Sequence, residues 1–143
     1  SKKGERDLWV SADGIYVETV NGRIIKTQGL LNNLTDQIYP ENDLKALEDL
    51  EQYSIYLSYD LPRLIDLKVS AKLNKSETRK KIQLLNNDLY LTEYTESLEN
   101  EYLGWKANNI YWADDSGFVW KTVQEISPKL PKFYMEITKK PSG

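Results

Sequence analysis

Residues 8–28 read LWVSADGIYVETVNGRIIKTQ, and this stretch decides the fold class because it carries two turn signals between short strand-like segments. Asp13-Gly14 and Asn21-Gly22 lie about eight positions apart, each flanked by β-prone or alternating residues. Such dipeptides favour type I′ hairpin turns, in which both central residues take a positive φ. The stretch therefore predicts a three-stranded antiparallel meander at the start of the chain.

The same pattern recurs downstream, where apolar or aromatic residues alternate with polar ones. A period of two predicts strands with one dry and one wet face. The segments that show it are residues 53–59, 65–73, 78–84, 89–95, 105–112, 118–126 and 132–138. Turn residues separate them: Pro62, Asn74-Lys75, Asn86–Asp88 and Asp114–Gly117.

Three stretches lack this alternation. Gly29–Tyr39 has no clean period and is predicted to be a loop, and acidic Ser97–Tyr102 is predicted to be a longer connection. Residues 41–52 carry leucines at helical spacing after a possible N-cap, Asn42, which predicts a short helix, with a charged loop as the alternative.

About nine or ten strands joined by tight turns predict an all-β chain in which sequence neighbours are sheet neighbours. A flat open sheet of this size would expose long edges, so it must curl, split or close. We therefore expect a large antiparallel meander sheet curled into a half-barrel or barrel-like shape, forming one domain over residues 1–143.

Composition excludes several classes of function. The chain has no His and no Cys, which excludes Ser-His-Asp and Cys-His catalysis and ordinary zinc sites. Its net charge is −3 with both signs interleaved, which argues against nucleic acid as a partner. No apolar run approaches the length of a membrane-spanning helix. We expect a protein that is not an enzyme and that uses no cofactor or metal.

Aromatic residues with a polar group are the unusual feature: ten Tyr and four Trp stand against two Phe. Such rings suit interfaces and wet grooves as well as strands. The candidate ligand-binding residues are Trp9, Trp105, Tyr111, Trp112 and Trp120, together with Tyr53, Tyr56 and Tyr59 at the rim of a groove. In the alternative interpretation these rings fill the concave core of a bent sheet.

Two groups of acidic residues are candidates for chemistry. Asp114 and Asp115 are adjacent, whereas a glycosidase needs two carboxylates across its substrate, so turn residues are the better interpretation. Glu96, Glu99 and Glu101 lack the spacing of a calcium loop, so a solvated connection is expected there.

Two further stretches indicate a family. The first is LWVSADG at residues 8–14, continued by NGRIIKTQGL at residues 21–30. The second is NIYWADDSGFVWKTVQ at residues 109–124, followed by Pro128–Pro131 and Lys140-Pro141. Together they resemble the YjbF family of bacterial lipoproteins, which includes the lipoprotein of the group 4 capsule operon. The resemblance covers both ends of the chain, whereas residues 31–50 match nothing recognisable.

The resemblance implies a meander sheet bent into a partial barrel and a lipid-anchored protein at the periplasmic face of the outer membrane of a Gram-negative cell. It implies partners in capsule or exopolysaccharide export, namely an outer-membrane β-barrel and periplasmic proteins, with polysaccharide as a further candidate. A lipoprotein carries its acyl chains on a Cys, and this chain has none. We therefore expect that the signal peptide and the anchoring residue have been removed.

Three functions remain open at this point. The first is a non-enzymatic protein of capsule or exopolysaccharide assembly or export that binds envelope partners or polysaccharide. The second is an enzyme that modifies polysaccharide with carboxylates alone. The third is a purely structural domain of the envelope.

Overall fold

The computed structural model describes residues 6–137. The chain begins with a three-stranded antiparallel sheet in the order β1-β2-β3, as the two turn signals predict. Its strands are β1 (Arg6–Val10), β2 (Tyr16–Val20) and β3 (Arg23–Gln28).

The two turns differ. Asn21 and Gly22 both take a positive φ, 49° and 84°, so the type I′ turn predicted there is confirmed. At Asp13-Gly14 only Gly14 has a positive φ, and the backbone hydrogen bonds join Ser11 to Ile15 and Gly14 to Ser11. The predicted type I′ turn is wrong at this place, because the loop is wider, although the predicted hairpin is present.

The second sheet is antiparallel and curls into a half-barrel, which confirms the predicted fold class. Its strands run in the order β11-β10-β9-β8-β6-β5-β4, and β7 pairs only with β8. The bounds are β4 (Leu34–Ile38), β5 (Tyr53–Asp60), β6 (Arg63–Lys75), β7 (Lys80–Gln83), β8 (Asp88–Asn100), β9 (Trp105–Ala113), β10 (Val119–Gln124) and β11 (Phe133–Glu136). Lys140-Pro141, the end of the second motif, lies outside the described residues.

Two segments that are predicted to be loops contain strand residues. Residues 34–38 within the predicted loop form β4, because they pair with β5 and bury Leu34 completely. Residues 97–100 within the predicted acidic connection continue β8, because β6 and β9 pair with this strand on its two sides. The predicted turn at Asn74-Lys75 is also wrong, since β6 runs on to Lys75. The described residues thus hold eleven strands, more than the nine or ten expected.

A single short helix, α1 (Leu44–Glu48), is described within residues 6–137 and lies inside the predicted range. Its N-cap is Asp43, not the predicted Asn42, because the Asp43 side chain accepts a hydrogen bond from the Lys45 backbone N–H at 3.1 Å. The carbonyl oxygen of Asn42 instead accepts a hydrogen bond from Asn21 Nδ2 at 2.9 Å, which links the start of the helix to the β2–β3 hairpin.

The core lies inside the curve of the half-barrel, and the three-stranded sheet covers it, with β3 next to β4. Ile24 from β3 packs with the inward residues of β5, β6, β8 and β9, such as Ile55, Val69 and Tyr111. No helix among residues 6–137 has the length and hydropathy needed to cross a membrane.

Candidate functional site

An open groove lies between the first sheet and the last two strands of the half-barrel. Its empty volume is about 400 Å³. One wall comes from β1 and β2, and the other comes from β10 and β11. The lining residues are Asp7, Trp9, Thr19, Asn21, Gly22, Phe118, Val119, Trp120, Lys121, Thr122, Met135, Glu136 and Ile137.

Aromatic rings stand on both walls of this groove. Trp9 is held on the first wall by a hydrogen bond from its Nε1 to Thr19 Oγ1 at 3.2 Å. On the second wall Phe118 and Trp120 pack edge to face, with ring centroids 5.0 Å apart and planes at 74°. The three rings are half-buried, so each keeps part of its surface accessible from the groove.

The position of Trp120 follows from a β-bulge. β10 pairs with β9 through Val119 and then Lys121, so Trp120 is the extra residue on the β9 side. A bulge re-aims a side chain that regular alternation would send elsewhere. On the other side the carbonyl oxygen of Trp120 accepts a hydrogen bond from the Ile137 N–H at 2.8 Å.

Asp114 holds the ring of Trp120 and the turn before it. Its Oδ2 accepts from Trp120 Nε1 at 3.0 Å, and its Oδ1 accepts from the backbone N–H groups of Ser116 and Phe118 at 2.9 and 3.0 Å. Partial burial opposes ionisation, but these hydrogen bonds outweigh it and lower the pKa of Asp114 below its usual value. Asp115 is exposed and pairs with Arg79 at 2.9 Å. Both acids lie in the turn, as the sequence indicates, and Asp114 is the one whose side chain stabilises it.

The floor of the groove depends on a close approach at Gly22. A Cβ at this position would lie 2.7 Å from Val119 Cγ1, and the φ of Gly22 is +84°. Gln124 fixes the same hairpin to β10, because its Nε2 donates to the Gly22 carbonyl at 2.7 Å and its Oε1 accepts from the Ile24 N–H at 3.0 Å. Glycine is required at position 22 by both its backbone conformation and its surroundings.

Carboxylates border the rings. Asp7 lies two residues before Trp9 on β1, and Glu136 on β11 stands opposite Lys121 in the strand register. One oxygen of Glu136 accepts a hydrogen bond from the Leu85 N–H at 2.7 Å. The ammonium group of Lys121 lies 5.5 Å from the ring centroid of Trp112. Asp7 is therefore the carboxylate beside Trp9, whereas Glu136 and Lys121 share the outward face of the sheet with Trp112.

The structure brings two of the predicted binding residues, Trp9 and Trp120, into one site. Four others lie in the core, where they do not line the groove: Trp105, Tyr111, Tyr53 and Tyr59, with exposed fractions of 4%, 1%, 7% and 4%. Tyr56 and Trp112 are half-buried on the other face of the sheet, since the residues beside them on β5 and β9 point inward. The first two strands and the last two strands of the described residues line the groove together, and alternation alone gives no sign of that.

A second group of aromatic and charged residues, the buried cluster, consists of Arg23, Glu96, Tyr53, Tyr111 and Tyr39. Arg23 donates two hydrogen bonds to Glu96, at 2.9 and 2.7 Å, and the two side chains are 6% and 0% exposed. The hydroxyl groups of Tyr53 and Tyr111 also donate to Glu96. The guanidinium carbon of Arg23 lies 4.7 Å from the ring centroid of Tyr39. The cluster joins β3 to the half-barrel.

Glu96 is charged inside the protein. Burial opposes its ionisation, but the attraction of Arg23 and the hydrogen bonds from Arg23, Tyr53 and Tyr111 hold the pKa of Glu96 below its usual value. Burial also raises the pKa values of Tyr53 and Tyr111. The expectation that Glu96 belongs to a solvated connection is wrong. The available signal was the alternation of Tyr94, Glu96 and Leu98, which puts Glu96 on the dry face.

No metal centre is built by the described part of the chain. Within residues 6–137, no three acidic side chains come together in a way that could hold a metal ion. The groove offers binding surface, and the buried cluster offers no access for a ligand.

A family model and a solved structure are both similar to this chain. A family model described as group 4 capsule polysaccharide lipoprotein GfcB, YjbF, matches residues 1–138. Among curated protein sequences, none matches the chain. The crystal structure of the hypothetical lipoprotein YmcC from Escherichia coli (K12) is similar with a TM-score of 0.81 at 18% sequence identity, covering 99% of this chain and 75% of that one.

At this identity the structural likeness shows a shared fold, whereas the family match spans nearly the whole chain. The resemblance that the motifs at the two ends indicate is confirmed. The chain belongs to the YjbF family of group 4 capsule polysaccharide lipoproteins.

Proposed function

We propose that this protein is a non-enzymatic component of capsule or exopolysaccharide assembly or export, and that its groove holds a segment of the polysaccharide. The protein would act at the periplasmic face of the outer membrane, held there by a lipid anchor. Its partners there would be an outer-membrane β-barrel and periplasmic proteins of the same pathway. The family description supplies the link to capsule polysaccharide and to lipid anchoring.

The observation that carries the proposal is the pair of aromatic walls formed by Trp9 and by Phe118 with Trp120. The C–H faces of sugar rings pack against aromatic faces, while carboxylate and hydroxyl groups beside them take up sugar hydroxyl groups. The groove is open at the surface, which suits a section of a long chain better than a small enclosed molecule.

The residues of the groove favour binding over chemistry. Asp114 is engaged in four hydrogen bonds of its own turn and of Trp120, so it serves as a positioning residue for that ring. Its lowered pKa keeps it ionised, whereas a general acid of a glycosidase needs a raised pKa.

The test is calorimetric titration of the protein with oligosaccharides prepared from the capsule of the producing bacterium. We expect Trp9→Ala and Trp120→Ala each to weaken binding about tenfold or more, as central aromatic contacts do at binding sites. Tyr56→Ala is the control, because Tyr56 lies on the other face of the sheet and should leave the affinity unchanged.

Two results would contradict the proposal. Equal affinity in the groove variants and the control would place any binding elsewhere. The release of new reducing ends during the titration, lost in acid-to-amide variants, would instead support the polysaccharide-modifying enzyme.

A further inference from the structure

Four connections between strands are packed together at one end of the half-barrel, here called the loop end. They are residues 29–33, 61–62, 101–104 and 125–132. The buried side chain of Asn32 donates a hydrogen bond to the Leu61 carbonyl oxygen and accepts one from Ser127 Oγ at 3.2 Å. Pro62 and Leu103 line one cavity with Asn32 and Ser127, so all four connections contribute to it. The loop end is therefore an ordered platform.

Three apolar side chains project from this platform into solvent. Leu31, Leu61 and Tyr102 are 91%, 66% and 85% exposed, and each directly precedes a residue that lines the cavity. Side chains as exposed as these make few contacts within their own protein, so they contribute little to its stability. Single exposed apolar residues are common on protein surfaces, but a group of them on ordered loops at one end indicates a contact surface.

The opposite end of the strands is held by polar groups. Arg79 pairs with Asp115 at 2.9 Å, and Lys45 Nζ donates to the Asp115 carbonyl oxygen at 3.5 Å. Exposed apolar residues in that half, such as Leu85 and Tyr90, belong to a single hairpin, β7–β8. The loop end differs because its apolar side chains come from three separate connections that hydrogen bonds and packing hold together.

A lipid surface suits these side chains better than a folded partner does. Isolated, protruding side chains need an apolar medium that can close around each of them, and the fluid boundary layer of a bilayer is such a medium. Tyrosine is typical of this layer because its ring is apolar and its hydroxyl group stays hydrated.

The charges at the loop end match the same surface. The exposed charged residues of these connections and of the positions flanking them have both signs: Arg63, Lys129 and Lys132 against Asp60 and Glu101. A zwitterionic headgroup layer also presents both signs, so the two surfaces are complementary without a large net charge on either. The family is one of lipoproteins, whose members are held at a membrane.

We infer that the loop end binds a bilayer of zwitterionic phospholipid, with Leu31, Leu61 and Tyr102 inserted into its interfacial layer, in addition to any acyl anchor. The turns that border the groove, at residues 21–22 and 114–118, lie at the opposite end of the strands. The contact therefore turns that end of the groove away from the membrane. This inference goes beyond the proposed function and does not depend on glycan binding.

The first test is flotation of the unacylated chain with vesicles of phosphatidylcholine and phosphatidylethanolamine. We expect the unmodified chain to partition onto the vesicles. The variant Leu31→Ser with Leu61→Ser and Tyr102→Ser should lower the partition coefficient at least tenfold, because it removes the apolar surface that is transferred into the bilayer. Circular dichroism of the free variant shows whether the fold is kept.

The matched control is Leu50→Ser with Leu85→Ser and Tyr90→Ser, which removes two leucines and one tyrosine in the opposite half of the molecule. Its partition coefficient should stay within twofold of that of the unmodified chain. Equal partition of the two triple variants, or no vesicle binding by the unmodified chain, would overturn the inference and leave the proposed function standing. Loss of glycan binding in the groove would have the reverse effect.

A second test reports the position of the loop end directly. The chain has no Cys, so Tyr102→Cys or Tyr90→Cys provides a single site for an environment-sensitive fluorophore. Addition of vesicles should shift the emission of the label at position 102 to the blue and leave the label at position 90 unchanged. A blue shift at position 102 that depends on protein concentration and needs no vesicles would identify an interface between copies of the chain and overturn the inference.

Discussion

The groove and the buried cluster are built from the same kinds of residue, yet they differ in burial and in charge pairing. Each combines aromatic rings with acidic and basic side chains, and each lies between the first sheet and the half-barrel. In the buried cluster the charge of Glu96 is fully enclosed and matched by Arg23 and two tyrosines. In the groove the rings are half-exposed and the carboxylate of Asp7 faces water.

This contrast teaches that residue type alone does not mark a binding site in a sheet protein. What matters is whether the neighbouring sheet covers the side chain. Arg23 and Glu96 lie where β3 closes over the half-barrel, whereas Trp9 and Trp120 lie on the two walls of the open groove. Changes in the first region should affect stability, and changes in the second should affect binding.

The largest effect is expected at Glu96. Glu96→Gln leaves the buried guanidinium of Arg23 without its counter-charge, and breaking such a pair costs about 3–5 kcal/mol of unfolding free energy. Urea denaturation followed by circular dichroism measures it. Glu99→Gln, three residues along the same strand on the outward face, should change the stability by less than about 0.5 kcal/mol.

A multiple variant sharpens this result. Arg23→Met with Glu96→Leu removes both charges, and Tyr53→Phe with Tyr111→Phe removes the two hydroxyl groups that would lose their acceptor. Together these changes should recover most of the lost stability, because apolar residues often replace a buried pair at little cost. A loss of less than about 1 kcal/mol of unfolding free energy in Glu96→Gln alone would mean that the buried cluster does not stabilise the contact between β3 and the half-barrel.

The second effect compares two tryptophans. Trp105→Ala removes a ring that is 4% exposed and should cost about 3–5 kcal/mol of unfolding free energy, as large-to-small changes in a core do. Trp120→Ala should cost about 1–2 kcal/mol, because its ring is half-exposed and its edge-to-face partner stays in place. Thermal denaturation monitored by circular dichroism gives both values. Similar losses in the two variants would mean that the groove wall is part of the core.

The third effect concerns Gly22, which packs against β10 at the floor of the groove and directly precedes Arg23 of the buried cluster. Gly22→Ala combines a positive φ with a clash against Val119, whereas Gly14→Ala has the same φ of +84° and nothing within 4 Å of its Cβ. Gly14→Ala should cost about 1 kcal/mol, and Gly22→Ala should cost about 1–3 kcal/mol more because of overpacking. Denaturant titration of both variants measures the difference, and equal costs would mean that Val119 moves aside freely.

The smallest effect is the dependence of the free energy of unfolding on pH. Because the pKa of Glu96 is lower in the folded protein than in the unfolded chain, its stabilising contribution is complete above the ordinary Glu pKa of about 4.3. It is lost as pH falls through the folded pKa. The stability of the unmodified protein should therefore fall more steeply in acid than that of the Arg23→Met, Glu96→Leu variant. Denaturant titrations between neutral and acidic pH test this, and parallel curves would contradict it.

The strands with regular alternation and the Asn21-Gly22 turn could be predicted from the sequence, because their signals are local. β4 could not, since residues 34–38 show no period and become a strand only through pairing with β5. Glu96 is wrongly predicted to be solvated, because the acidic residues around it hide the longer alternation of β8. The groove could not be predicted for a related reason: Trp9 and Trp120 are far apart in sequence, and they come together only because the first sheet packs beside the last strands of the half-barrel.

The bulge at Trp120 has a practical use in protein engineering. Since this residue has no partner on β9, its side chain can be exchanged without altering the pairing of Val119 with Ala113 or of Thr122 with Tyr111. A library randomised at positions 118 and 120 would vary the recognition surface on a scaffold whose register stays fixed. Together with the proposed function, this makes the half-barrel a candidate scaffold for designed glycan binders whose groove is varied by point substitutions.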